Sequence, residues 1–304
     1  MSGQANLFHI LKERVEKLYL EGNFDEAGRV AETALDSARR MVDNDPGDPE
    51  PLIEALEMLG DLNRHRGNFP EAEELYLEAL RSANGEEVSA DLAARLQSSL
   101  GSLYDFNGLE DQAAPLYEEA IRLFEELDPP QLGESANLRN NLGMIYKGFG
   151  ETSKAEEHYL QALQTFEQRE GKDSEPVAAV YNNLGALYTQ AGLFEQAREM
   201  HIAALDLRTK LHGAGHSDIS QSHSNLAIVY HQMGQDQQAA DHFEESLRIL
   251  EVFIDDEPGE YALVAENYAA LLRNAGEEKS AVTLEKKTRK ILKKHGFEIE
   301  GQAA

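Results

Sequence analysis

Cysteine is absent from the 304 residues. That excludes disulfides, a thiolate nucleophile and any cysteine-ligated zinc or iron–sulfur centre. Positive charge is scarce, with 28 lysines and arginines against 56 acidic residues and a net charge of -28. Such a chain repels phosphate backbones, because affinity for nucleic acid comes from cationic side chains that release counterions. It also resists simple adsorption to anionic membranes, unless a local basic patch overrides the total. No run approaches the ~18 apolar residues of a membrane-spanning helix, and Met1 to Leu7 carry neither a basic n-region nor a long apolar stretch. Secretion is therefore not expected, and a cytoplasmic chain is. Gly-x-Ser-x-Gly, phosphate-loop and His-Glu-x-x-His patterns are also missing. With the carboxylates spread over solvated segments, neither catalysis nor a cofactor is expected. What remains is 41% hydrophobic and 28% charged, with nine prolines and a mean hydropathy of -0.52. That is too apolar for disorder and too polar for membrane spans.

A fixed period organises this material. Gly108, Gly150, Gly192, Gly234 and Gly276 stand 42 residues apart, and Gly67 and Gly22 extend the series upstream at spacings of 41 and 45. Five residues after each glycine comes an alanine: Ala27, Ala72, Ala113, Ala155, Ala197, Ala239 and Ala281. Ahead of the glycine, Leu100-Gly101-Ser102-Leu103-Tyr104, Leu142-Gly143-Met144-Ile145-Tyr146, Leu184-Gly185-Ala186-Leu187-Tyr188 and Leu226-Ala227-Ile228-Val229-Tyr230 share one pattern. Behind it, Ala72/Tyr76, Ala113/Tyr117, Ala155/Tyr159 and Ala239/Phe243 place an aromatic four residues after the alanine. The match is to the tetratricopeptide signature, L-G-x-x-Y on a first helix and A-x-x-x-F on a second. Gly101, Gly143 and Gly185 are expected where two helices cross so closely that their backbones need the missing side chain, with Ala227 and Ala269 next best. The midpoint glycine is expected to end the first helix in the left-handed conformation.

The predicted fold is all-α, a right-handed superhelical solenoid forming one domain over 1–304. Its repeats are expected near 7–44, 52–88, 92–130, 134–172, 176–214, 218–256 and 260–296, with 297–304 as a flexible tail. Val15 and Ala31 replace the first repeat's glycine and aromatic, and Leu272 and Glu285 replace the last repeat's tyrosine and aromatic. Terminal repeats lack a neighbour, so this atypia is expected to mark caps, and the array is expected to be complete in itself.

A period of 42 residues exceeds the usual tetratricopeptide length of about 34. The stretch from Leu205 through Leu211-His212-Gly213-Ala214-Gly215-His216-Ser217-Asp218 to Ser224-Asn225-Leu226-Ala227 resembles the kinesin light chain repeat, whose connector runs roughly L-G-x-x-H-P-D-V and then N-N-L-A. Ser217 departs from the family's proline, and the connector around Gly171-Lys172-Asp173-Ser174-Glu175-Pro176-Val177 keeps the length more than the letters. Nothing sustains heptads as the motor-gripping coiled coil does. The chain therefore looks most like the stand-alone bacterial kinesin light chains, found in bacteria that also possess tubulins. That resemblance implies a scaffold binding tubulin-like filaments.

Candidate contact residues follow from the register. Asn141, Asn183, Asn225 and Asn267 recur at intervals of 42 on first helices, with Asn140 and Asn182 preceding two of them. Groove amides can hold an extended peptide's backbone, as the family's groove asparagines do; alternatively they only bridge adjacent helices. With Gly143 at the eighth position of its helix, Arg95, Lys147 and Arg273 fall on groove-facing turns, and His231 joins this set. Glu54, Glu57, Asp61 and Asp105 make the N-terminal half acidic. The resemblance implies acidic, aromatic-anchored ligands, for which three basic residues are few.

Lys286, Lys287, Arg289, Lys290, Lys293 and Lys294 surround an apolar stripe of Ala281, Leu284, Ile291 and Leu292. They form a basic helix suited to acidic lipid or an acidic filament, or else a cap complementing the helix C-terminus. Leu7, Phe8, Ile10 and Leu11 offer a docking or membrane-touching turn, or core packing with Val15 and Leu18. Six of the ten histidines lie between His201 and His242. His201 replaces the repeat aromatic, and His212 and His216 have no carboxylate at ligand spacing, so no metal is expected. The expected partner is thus a protein: a bacterial tubulin-like filament that the chain links or stabilises, a linear peptide motif held in the groove, or a filament joined to a membrane surface.

Overall fold

The computed structural model describes residues 3–44, 47–83 and 88–297. Among these there are fourteen α-helices and no strand. They pair as α1 (Gly3–Leu20) with α2 (Phe24–Asn44), α3 (Glu50–His65) with α4 (Phe69–Ala83), and α5 (Ala90–Phe106) with α6 (Glu110–Glu126). Next in chain order come α7 (Leu132–Gly148) and α8 (Thr152–Arg169), followed by the pairs α9 (Glu175–Gln190) with α10 (Phe194–His212), α11 (Ser217–Gln232) with α12 (Asp236–Leu250), and α13 (Pro258–Asn274) with α14 (Glu278–Lys294). Six antiparallel pairs lie within the units, α7 and α8 follow the same order in the chain, and the first helices begin one to four residues ahead of the bounds the spacing suggests. The helices fall into two compact units, Met1–Ile145 and Tyr146–Ala304. Of the expected flexible tail, Phe297 packs against the C-terminal core, and 298–304 lie outside the described residues.

The turn within each pair is a repeated device. Gly22, Gly67, Gly108, Gly150, Gly192, Gly234 and Gly276 all have φ between 70° and 80°, the left-handed conformation that costs glycine least. The N–H of the next residue then reaches back to a carbonyl five residues earlier. Leu109 donates to Tyr104 at 2.8 Å, Leu193 to Tyr188 at 2.8 Å and Gln235 to Tyr230 at 2.9 Å. The carbonyls left over at the end of the first helix are thereby satisfied.

Packing inside a pair centres on the small residue of the first helix, and here the expectation of touching backbones needs correcting. A Cβ added at Gly60 would lie 2.6 Å from the Tyr76 ring, one at Gly101 2.9 Å from the Tyr117 ring and one at Gly185 2.6 Å from the His201 ring. The glycine makes room for the aromatic ring sixteen residues later, not for another backbone. Tyr76, Tyr117, Tyr159 and Phe243 are all but fully buried. In the first repeat the large and small residues change places: Val15 stands where the glycine would and Ala31 where the ring would, and both are buried in one core cluster.

Hydrogen bonds tie each repeat to the one before. Tyr104 donates to Glu73 at 2.8 Å and Tyr188 to Glu156 at 2.5 Å. Arg66 reaches the Phe24 carbonyl, and Gln190 reaches that of Lys147 at 3.2 Å. No helix among the described residues is long and apolar enough to cross a membrane.

Candidate functional site

In the unit Met1–Ile145, α1, α3 and α5 bring together the acidic residues that the register placed on one face. Lys12, Glu16, Glu54, Glu57, Met58, Asp61 and Arg95 line an open cleft of about 300 Å³. A neighbouring cleft of about 470 Å³ shares Glu16, Met58 and Asp61 and is floored by Val15, Tyr19, Leu20 and Leu62. This apolar floor was not anticipated. Its signal lay in the apolar stripe of the first helix, where Val15, Tyr19 and Leu20 stand at helical spacing. The cationic residues are engaged: Lys12 bonds Glu54 at 2.9 Å, and Arg95 bonds Glu57 at 3.0 Å and Asp91 at 3.4 Å. Burial is the largest influence on Glu57 and raises its carboxyl to about 7 despite Arg95. Burial likewise opposes the charge on Arg95, but Glu57 and Asp91 together lift it above its ordinary range. Asp105 is raised by burial also, against the Tyr117 hydroxyl that donates to it.

The asparagines divide between the two units. Asn140 and Asn141 are half-buried on α7 within Met1–Ile145, where Asn141 hydrogen-bonds the Tyr117 hydroxyl. In Tyr146–Ala304, Asn182 and Asn183 on α9, Asn225 on α11 and Asn267 on α13 are half-buried at equivalent register. Asn225 donates to the Asn182 side-chain oxygen at 2.8 Å. At that rung the amides bridge adjacent first helices, the alternative that the spacing left open. Lys147 is half-buried and its carbonyl receives Gln190. His231 faces Asp236 at 2.7 Å and Asn274 at 3.3 Å. Arg273 turns to the last helix, 2.6 Å from Glu285 and 3.5 Å from Glu278. Arg95 and Arg273 are therefore committed to ion pairs within the chain.

At the chain's ends the candidates separate. Phe8 is 6% exposed and belongs to the core, Leu11 packs partly against it, and Leu7 stays 48% exposed beside Ile10. On α14, Ala281, Thr288 and Leu292 are buried, while Lys286, Lys287, Lys290, Lys293 and Lys294 are exposed. Lys287 bonds Glu251 at 2.7 Å.

The histidine-rich stretch also departs from its reading. His201 is 1% exposed in the aromatic slot facing Gly185, and burial, with Arg208 nearby, lowers it to about 4. His223 and His242 meet through their Nδ1 atoms at 2.8 Å; burial lowers both, and His223 reaches about 4. His212 does have carboxylates within reach, contrary to expectation. Glu175 from α9, 37 residues earlier and beyond the reach of local spacing, lies 2.8 Å away, and Asp218 from the first turn of α11 stands beside it.

Paired helices with a left-handed glycine turn and an aromatic packed on a small residue define a helical-repeat protein. The tetratricopeptide repeat model matches residues 51–126, 92–168, 134–201 and 176–251. The crystal structure of BtubC (BKLC), the bacterial kinesin light chain from P. vanneervenii, superposes with a TM-score of 0.64 at 35% identity. That match covers 76% of this chain and 92% of the other. The chain thus belongs to the tetratricopeptide repeat family, in its bacterial kinesin light chain type, and is a protein-interaction scaffold of that class. Two more distant likenesses speak for the fold alone. A tetratricopeptide repeat protein from Parabacteroides merdae has a TM-score of 0.61 at 17% identity, covering 94% of this chain and 93% of that one. A putative kinesin light chain repeat protein from Podosopora anserina has a TM-score of 0.57 at 21% identity, covering 68% and 98%. No curated protein matches.

Proposed function

We propose that the chain is a scaffold that binds bacterial tubulin-like filaments and links or stabilises them. The observation that carries this reading is the 35% identity to BtubC (BKLC) over 76% of the chain. Repeat arrays suit the role because their long exposed faces touch several subunits at once. The exposed lysines of α14 supply the basic surface an acidic filament would meet, and with Leu7 they also suit a contact with anionic membrane. Co-sedimentation with assembled bacterial tubulin tests the reading. Pelleting with the polymer that weakens as salt rises supports it, and no pelleting at low salt refutes it.

A second reading, capture of a linear peptide along the first helices, is supported by the recurring half-buried asparagines. The double substitution Asn183→Ala with Asn225→Ala separates the two. Filament binding that survives it assigns the interface to another face; binding lost while the fold is intact assigns it to the amide row.

A further inference from the structure

We infer that Glu175, His212 and Asp218 form a site for a divalent transition-metal ion at the junction of the fifth and sixth repeats. The three residues come from three helices: Glu175 opens α9, His212 closes α10 and Asp218 lies in the first turn of α11. One donor atom from each lies within 4.8 Å of the other two. A tetrahedral ion that holds its ligands at about 2.1 Å spaces their donors about 3.4 Å apart. The pair His212 Nε2 and Glu175 Oε2 is already closer than that, at 2.8 Å. Drawing Asp218 inward completes three ligands by side-chain movement alone, since all three side chains are at least partly solvated.

The surroundings favour a cation on these atoms. Arg208 bonds the other oxygen of Glu175, Oε1, at 3.2 Å and the Asp218 carbonyl at 3.4 Å. It thereby fixes the Glu175 carboxylate without occupying Oε2. Two carboxylates outweigh that one guanidinium. Lys210, the other cation on this turn of α10, is held by Asp173. His216 follows next along the connector, its ring centroid 4.7 Å from that of His212 and its Nδ1 3.5 Å from Asp218 Oδ2. It is a second imidazole in reserve for the fourth position, which water otherwise fills. Imidazole with carboxylate is a donor set for zinc, nickel or copper and not for magnesium or calcium. Cysteine has no part in it, and the family signature that places His216 and Asp218 in the connector does not contain Glu175. Once bound, the ion joins both helices of one repeat to the first helix of the next, and so stiffens a connector otherwise held by Gly213 and exposed polar contacts.

The test is calorimetric titration of the full, tag-free chain with ZnCl₂, with the visible absorption of Co²⁺ as a second probe of tetrahedral ligation. One saturable Zn²⁺ per chain is expected. Affinity should fall at least about tenfold in His212→Ala and in Glu175→Gln, the scale of loss seen when a metal site loses even a supporting group. His9→Ala, which removes an exposed histidine elsewhere, should bind as the wild type does. Zn²⁺ should also raise the melting temperature of the wild type and not that of His212→Ala. Should His212→Ala fail to fold by circular dichroism, Glu175→Gln, which keeps the side-chain shape, decides alone. Unsaturable binding in the wild type, or equal binding by the wild type and Glu175→Gln, overturns the assignment.

Discussion

Replacing Glu57 by glutamine should stabilise the N-terminal unit at alkaline pH and not at acid pH. Glu57 is all but buried on α3, and burial raises its carboxyl from an ordinary 4.5 to about 7 even with Arg95 at 3.0 Å. Below 4.5 the group is protonated folded and unfolded alike, and contributes nothing to the pH dependence. Between 4.5 and about 7 the folded chain keeps a proton that the unfolded chain has released, so stability falls as pH rises through this window. Above it the penalty is complete. A displacement of that size is worth about 3 kcal/mol at roughly 1.4 kcal/mol per pH unit. Burial drives the effect, and Arg95 offsets only part of it, as expected when desolvation exceeds the attraction within a pair.

The assay is urea denaturation of wild type and Glu57→Gln at about pH 4 and pH 8. Glutamine cannot make the charged contact with Arg95, which keeps Asp91 at 3.4 Å, but that attraction is already contained in the raised carboxyl and is absent at about pH 4, where Glu57 is neutral. The informative quantity is therefore the change in the stability difference between the two pH values. The variant should gain about 3 kcal/mol on the wild type from the lower to the higher pH. A stability difference that is the same at both would refute the reasoning, because Glu57 would then titrate alike in both states.

Two further expectations concern the glycine-to-aromatic contact. Gly60→Ala drives a methyl to 2.6 Å from the Tyr76 ring and should cost about 1–3 kcal/mol by overpacking, whereas in a Tyr76→Ala background the same change should be nearly free. A double-mutant cycle by thermal or urea unfolding measures this coupling, and additive losses would show that ring and glycine do not share the space. His201→Phe should abolish an acid-sensitive loss of stability. His201 falls from 6.5 to about 4 on folding, chiefly through burial, so its neutral form stabilises above 6.5 and that stability is lost as pH drops toward 4. Equal acid sensitivity of wild type and variant, followed by circular dichroism, would sink the idea.

The repeats were legible in the sequence because their signals are local. Each glycine turn needs one left-handed residue, each helix pair one small residue and one ring, and these recur together at a fixed spacing. The exchange of large and small at Val15 and Ala31 was visible as two departures, but that both enter one buried cluster is known only once α1 and α2 are packed. The asparagines were found by register, yet register could not say that Asn225 would spend its amide on Asn182. Glu175 and Asp218 were missed around His212 for the opposite reason. Their meeting depends on where one repeat stops relative to the next, 37 residues apart in the case of Glu175. Chain-internal ion pairs likewise took Arg95 and Arg273 out of the set of free cations, and sequence offers no rule for which charges pair.

Buried or half-buried titratable groups of opposite kind give the two units opposite responses to acid. In Met1–Ile145 the aromatic position is met by Tyr76 and Tyr117, whose hydroxyls donate to Asp61 and Asp105, and the nearby titratable group that resists ionisation is Glu57. Lowering the pH relieves that resistance. In Tyr146–Ala304 that position holds Tyr159, Phe243 and also His201, whose Nδ1 is buried without a partner among the described residues, and a half-buried imidazole pair, His223 with His242, lies one repeat further on. Burial lowers all three, so acid forces charge into that core. Below pH 6.5 the second unit loses stability while the first gains it. Glu57→Gln removes the first effect, and His201→Phe removes the His201 share of the second. If the array unfolded as one cooperative body, each substitution would shift the pH profile of the whole chain; if it unfolds repeat by repeat, as nearest-neighbour packing implies, each should alter only the resistance of its own unit to proteolysis.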